Sequence, residues 1–127
     1  LSGALPLKDY IRSITDIGFG TVEIRAKRPY RILDPKNYAT QERLFIESVE
    51  VCAIKDPMPD DGPCVFTGKT AIYYGPDAYF DDDKGHVLLP NQPLAVCDKT
   101  AANLANLDRE DIFISESTWF YDGGGCC

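Results

Sequence analysis

Residues 6–24 read PLKDYIRSITDIGFGTVEI and predict a helix, a glycine turn and a strand, in that order. Pro6 suits the first residue of a helix, and the apolar residues after it recur at helical spacing until Gly18 supplies a C-terminal stop. Beyond the turn, Val22 and Ile24 alternate with polar residues, as in a half-buried strand. The stretch therefore indicates a chain of mixed α and β structure.

Most of the remaining chain predicts strands. Residues 46–54 alternate between two faces, whereas residues 56–63 hold three prolines and a glycine and must form a loop. Further β-rich runs are separated by glycine, proline and acidic turns, and they lie at residues 70–74, 78–81, 86–89, 94–97, 112–114 and 119–121. Short strands with few helices predict an α+β domain built on an antiparallel β-meander.

Two other segments join these strands. Residues 29–35 predict an irregular connector, because Pro35 biases Asp34 away from helical geometry. Asp98 is placed to cap a short helix whose apolar positions 101, 104 and 105 share one face.

Length and charge restrict the class of protein. At 127 residues the chain is long enough for one hydrophobic core, and its start at Leu1 leads us to expect a piece of a longer protein. A net charge of −7 disfavours contact with nucleic acid, and the short basic cluster at Arg25, Lys27, Arg28 and Arg31 is expected to be solvated. No apolar run approaches the ~20 residues that cross a bilayer, and no signal peptide opens the chain. We therefore expect a cytoplasmic protein without a membrane or nucleic-acid partner.

Three polar motifs do not predict a site. Residues 62–70 end in Gly-Lys-Thr, but five residues separate the two glycines where a P-loop has four, and a strand follows. The acidic run at residues 81–83 predicts a solvated hairpin turn, since no glutamate closes a calcium loop. His86 is the single histidine and is expected to be structural. No catalytic residue is assigned.

The five cysteines are the distinctive chemical feature of the chain. An odd count favours free thiols, and we expect Cys52 and Cys97 to be buried structural thiols. The adjacent Cys126 and Cys127 follow three glycines, so both could reach one soft ion. A tail without a role and a lipidated terminus are the alternatives.

Three stretches, read together, resemble the C-terminal region of the arsenite S-adenosylmethionine methyltransferases, in the UbiE-like methyltransferase family. They are Leu1–Leu5 with the helix and Gly18-Phe19 that follow, Cys64 with Gly68–Gly75, and Leu94–Leu104. The Gly-Gly-Gly-Cys-Cys ending is similar to the cysteine-rich tails of some members.

The resemblance implies a division of the chain. Residues 1–30 would be the last helix and a late strand of a Rossmann-like methyltransferase domain, residues 31–122 a C-terminal α+β domain, and residues 123–127 a flexible tail. The family's glycine-rich cofactor loop is absent here, so no cofactor-binding residue is assigned and S-adenosylmethionine would bind in the parent protein. The partner would then be the N-terminal catalytic domain of the same chain, and this part alone would be non-catalytic.

The resemblance also implies an acceptor. The family holds arsenite on a few thiolates, and one of its cysteines aligns near Leu44, where this chain has none. Cys52, Cys126 and Cys127 are therefore the candidate As(III) ligands. Two other readings stay open: a thiol-based As(III) or soft-metal-binding domain without catalysis, and a structural domain of a small-molecule methyltransferase.

Overall fold

The computed structural model describes residues 4–118 of the chain. Within them, two helices and small, mostly antiparallel sheets confirm the predicted α+β class with few helices. The elements in chain order are α1 Leu7–Asp16, β1 Thr21–Leu33, β2 Leu44–Ile54, β3 Cys64–Phe66, β4 Lys69–Tyr73, β5 Phe80–Asp81, β6 Val87–Leu88, β7 Leu94–Val96, α2 Asp98–Ala105 and β8 Ile112–Ile114.

The first sheet has the strand order β2-β1-β3. β1 and β2 form a long antiparallel hairpin from Thr21↔Ile54 to Leu33↔Leu44, and β3 adds to the other edge of β1 in parallel, with Thr21 opposite Cys64. The prediction of an irregular connector is wrong for residues 29–33, because these residues continue β1. A shift in register beside Pro29 accompanies this continuation, since a β-bulge accommodates a residue without an N–H.

The second sheet has the order β7-β4-β8, and β5 and β6 form a separate hairpin. α2 packs against β3, β4 and β8, so it lies over both sheets. Tyr73 of β4 is fully buried, and its hydroxyl accepts a hydrogen bond from the Asp77 N–H at 3.1 Å. The buried cluster around it consists of Ala71, Tyr73, Leu88, Val96, Ala101 and Leu104.

The residue before α2 is Cys97, and Asp98 is the first helical residue. The prediction that Asp98 caps α2 is therefore wrong, because no side-chain capping hydrogen bond forms there. Its carboxylate instead accepts a hydrogen bond from Thr67 Oγ1 at 2.7 Å. This bond ties the start of α2 to the turn between β3 and β4.

Predictions for the polar surface are confirmed in part. Asp82 Oδ1 accepts hydrogen bonds from the N–H groups of Lys84 and His86, so the acidic run is the hairpin turn between β5 and β6. In the basic cluster, Arg25 pairs with Glu23 at 3.1 Å and Lys27 with Glu47 at 3.2 Å. The cluster is thus spread along β1.

Some predictions stay untested. The strand at 119–121 and the tail at 123–127 lie outside the described residues. β1 runs through residue 30, and the division into domains there stays a prediction. Between residues 4 and 118 no helix has the length and apolar character needed to span a bilayer.

Candidate thiol site

Two cysteines lie where β3 of the first sheet packs against α2. Cys64 is the first residue of β3, and Cys97 directly precedes α2, which packs against β3. The Cys97 thiol is close enough to influence the ionisation of Cys64, whose pKa it raises. Cys64 is half-buried, whereas Cys97 is only 3% exposed. The pair therefore has an outer and an inner thiol.

Each thiol is held by its own element. The Cys64 N–H donates to the carbonyl of Gly20 at 2.8 Å as β3 begins to pair with β1. Cys97 Sγ lies 3.3 Å from Thr100 Oγ1, a hydrogen-bond distance when sulfur takes part. Strand pairing thus fixes the position of Cys64, and the first turn of α2 fixes that of Cys97.

Lys99 supplies a positive charge beside the pair. Its Nζ donates to Asp61 Oδ1 and to the Gly62 carbonyl, both at 2.6 Å, and its charge acts to lower the pKa of the Cys64 thiol. Asp61 and Gly62 lie near the end of the proline-rich loop, with Pro63 between them and Cys64. The lysine therefore anchors this loop and faces the outer thiol at the same time.

The ionisation of Cys64 reflects these neighbours. Burial raises the pKa of the Cys64 thiol, and the adjacent Cys97 raises it further, while the Lys99 ammonium acts in the opposite direction. The net pKa lies above the ordinary cysteine value. At neutral pH this thiol is mainly protonated, so reaction or metal binding releases a proton.

Lys99 keeps its positive charge because its pKa is raised overall. Burial works to lower its pKa, but the hydrogen bond to Asp61, together with Cys64 and Cys97, raises it overall. The same contact with Lys99 lowers the pKa of Asp61. The site thus combines two thiols with a persistent ammonium group.

Cys52 lies elsewhere in the sheet. It is on β2 opposite Glu23, and β1 stands between it and β3. Two strand spacings amount to ~10 Å, too far for Cys52 to share one small ion with Cys64. Cys52 is half-buried rather than buried as predicted, while the prediction of burial is confirmed for Cys97.

The other predicted ligands, Cys126 and Cys127, lie outside the described residues. In the part of the chain from 4 to 118, no three or more His, Cys, Asp and Glu side chains are arranged to hold a metal ion. Sequence reasoning missed the pairing of Cys64 with Cys97, which are 33 positions apart. The sequence contained one indication of this pairing, since Cys64 and Cys97 each lie in a stretch that resembles the arsenite methyltransferases.

Comparison with known proteins gives a family model and similar solved structures. A family model described as a domain of unknown function (DUF8838) matches residues 60–117, the segment that contains both thiols. Among solved structures, an arsenic(III) S-adenosylmethionine methyltransferase from Chlamydomonas reinhardtii is similar, with 22% identity and a TM-score of 0.38. That match covers 95% of this chain and 42% of the algal chain, so this chain spans less than half of that protein's length. No curated protein matches.

Proposed function

We propose that this chain is the acceptor-side part of an S-adenosylmethionine-dependent methyltransferase whose acceptor is As(III). The observation that carries the proposal is the placement of Cys64 on β3 and of Cys97 directly before α2, which packs on β3, with Lys99 bound to the loop that precedes Cys64. Both cysteines belong to stretches that resemble the arsenite methyltransferases. A pair of thiols is the ligand type that a soft centre such as As(III) prefers.

The chemistry of the pair suits such an acceptor. Each As–S bond replaces a thiol proton, and the adjacent Lys99 ammonium favours the thiolate form of Cys64. Burial of Cys97 limits the access of water to the inner ligand. The pair would hold arsenic at a fixed position from which a methyl group can be received.

The methyl donor would be bound by another part of the parent protein. S-adenosylmethionine would bind in an N-terminal catalytic domain of the same chain, and residues 4–118 would position the acceptor. Cys126 and Cys127 stay candidate third ligands, and Cys52 is the less favoured one because of its place on β2.

A second function is a soft-ion-binding domain without catalysis. It is favoured by the fact that the thiol pair is built entirely from this chain's own elements, β3 and α2. Such a domain would capture As(III) and release it unchanged.

Titration of As(III) into the fully reduced chain tests the thiol assignment. We expect Cys64→Ser and Cys97→Ser each to weaken binding at least ~10-fold, because one As–S bond is lost. Cys52→Ser is the matched control and should bind as the unchanged chain does. Equal affinity in all four proteins would overturn the proposal. The double variant Cys126→Ser/Cys127→Ser measures what the tail adds.

A second experiment separates catalysis from capture. The chain alone should show no methyl transfer and no binding of S-adenosylmethionine by calorimetry. The longer natural protein should methylate As(III), and Cys64→Ser in that protein should abolish transfer while donor binding is unchanged. If the longer protein binds both compounds and transfers nothing, the capture function is the correct one.

A further inference from the structure

The loop end of the β1–β2 hairpin holds a groove that the thiol site does not use. The cross-strand pairs Arg31↔Ile46 and Leu33↔Leu44 lie side by side at this end. All four residues line the groove, whose volume is about 580 Å³. Residues two apart on a strand share a face of the sheet, so the two pairs form one wall. Leu33 is the most buried part of this wall, at 2% exposure.

A β-bulge adds an aromatic ring beside the arginine. The register between β1 and β2 shifts between Pro29 and Arg31, so Tyr30 stands between two paired positions. A bulge re-aims the side chain of the extra residue. The Arg31 guanidinium carbon lies 5.7 Å from the centre of the Tyr30 ring, and both residues line the groove. The cation and the ring are therefore presented together.

The loop at residues 34–43 forms another part of the wall and is held by Asp34. The carboxylate of Asp34 accepts hydrogen bonds from the Lys36 N–H at 2.9 Å and from the Arg43 guanidinium at 3.3 Å. Its carbonyl accepts the Tyr38 N–H at 3.1 Å. Tyr38 and the two residues after it line the groove. The loop is thus fixed by its own hydrogen bonds, as expected for a site that is formed before its ligand arrives.

The charges at the groove favour an anion. Arg31 is the one charged residue among the described residues that line it. Between residues 4 and 118 no carboxylate forms an ion pair with Arg31, whereas the neighbouring Arg43 is paired with Asp34 at 3.3 Å. The planar guanidinium group suits a carboxylate, because it can donate two parallel hydrogen bonds.

We propose that this groove binds a small aromatic monocarboxylate, with the carboxylate on Arg31 and the ring against Tyr30, Tyr38 and Leu33. The volume lies within the range of small-molecule pockets, and tyrosine rings pack favourably on a flat ring. One guanidinium group selects one negative charge. The site is independent of the proposed function, since Arg31 lies ten residues, roughly 30 Å of strand, from Thr21, the partner of Cys64.

Calorimetric titration of naphthalene-2-carboxylate into the chain tests the site. We expect one molecule to bind per chain. The neutral naphthalene-2-carboxamide has the same ring and should bind roughly 10-fold more weakly, because the hydrogen bonds from Arg31 no longer reach a charged group. Acetate at the same concentration should not compete, because it lacks the ring.

Three variants assign the binding to the groove. Arg31→Gln should weaken binding of the carboxylate roughly 10-fold and leave binding of the carboxamide unchanged. Arg12→Gln is the matched control, since it removes the same charge from the exposed face of α1, and it should bind both compounds as the unchanged chain does. Ala39→Trp places a ring in the groove and should abolish binding of both compounds.

Circular dichroism checks that each variant is folded. If Arg31→Gln does not fold, the difference between carboxylate and carboxamide in the unchanged chain still tests the proposal.

Three results would overturn the proposal. The first is no binding of naphthalene-2-carboxylate to the folded chain at millimolar concentration. The second is equal affinity for the carboxylate in Arg31→Gln and Arg12→Gln. The third is a dimer in analytical ultracentrifugation that Ala39→Trp dissociates, because a second copy of the chain would then fill the groove.

Discussion

A single residue, Lys99, tunes the outer thiol of the pair. It acts against burial and against Cys97, which together raise the pKa of the Cys64 thiol. We expect alkylation of Cys64 to be slower than that of a model cysteine peptide at neutral pH and to accelerate as pH rises through the alkaline range. Lys99→Met should slow it several-fold further, since the opposing positive charge is lost.

Peptide-resolved mass spectrometry at a series of pH values measures these rates at Cys64. Lys99→Arg keeps the charge and is the control, with a rate close to that of the unchanged chain. A faster reaction in Lys99→Met would mean that the lysine shields the thiol rather than activates it.

The β5–β6 hairpin depends on one acidic side chain. Burial works to raise the pKa of Asp82, but hydrogen bonds from the backbone of His86 and Lys84 and from the His86 ring lower it overall. Because the folded pKa is below the unfolded one, the carboxylate stabilises the fold above its ordinary value of 3.8, and this stabilisation is lost as pH falls through the folded pKa.

Asp82→Ala should therefore lower the free energy of unfolding by about 1–3 kcal/mol at neutral pH, as expected for hydrogen bonds to a charged group. The difference from the unchanged chain should shrink below about pH 4, where the unfolded state begins to take up the proton. Urea unfolding at pH 7 and pH 3 measures both values. Glu42→Ala removes an exposed negative charge and should have little effect; a deficit in Asp82→Ala that is independent of pH would contradict the prediction.

The two helices differ in how much they are buried. α2 contributes Leu104, which is 2% exposed, to the core, whereas no residue of α1 is buried in the described structure. Leu104→Ala should lower the free energy of unfolding by about 2–5 kcal/mol, as for other core truncations. Ile14→Ala on α1, which is half-buried, should have less than about 1 kcal/mol of effect. Equal losses in urea unfolding would show that α1 packs as tightly as α2.

At the level of elements, local pattern predicted much of the fold. The helix after Pro6 and the strand at residues 112–114 were confirmed because each is decided by spacing within a short window. β1 was predicted too short because Pro29 was expected to end it. In the structure β1 continues past Pro29 with a shift in register against β2, and this shift depends on the partner strand. The side-chain role of Asp98 was missed because its acceptor position depends on Thr67, far away in sequence.

The thiol site could not be predicted from local sequence pattern either. Composition directed attention to Cys126 and Cys127, which are adjacent in sequence, and not to Cys64 and Cys97, which are adjacent in space. Their proximity results from two long-range features of the fold, the parallel pairing of β3 with β1 and the packing of α2 on β3. Local patterning around either cysteine predicts neither feature, and only the family resemblance of the two stretches indicated that both matter.

For the whole molecule, Cys64 and Cys97 lie on elements that belong to or cover different sheets. β3 belongs to the first sheet, and α2 packs over the core of the second, so a disulfide formed between Cys64 and Cys97 by an added oxidant would link them covalently. The bond closes a loop of about 34 residues, for which chain entropy in the unfolded state predicts a stabilisation of about 3–4 kcal/mol. The chain treated with an excess of oxidised glutathione should therefore unfold at a higher urea concentration than the reduced chain. Cys64→Ser should show no such difference under the same oxidant, because the loop cannot close. A lower midpoint in the cross-linked chain would mean that forming the bond distorts the contact between β3 and α2.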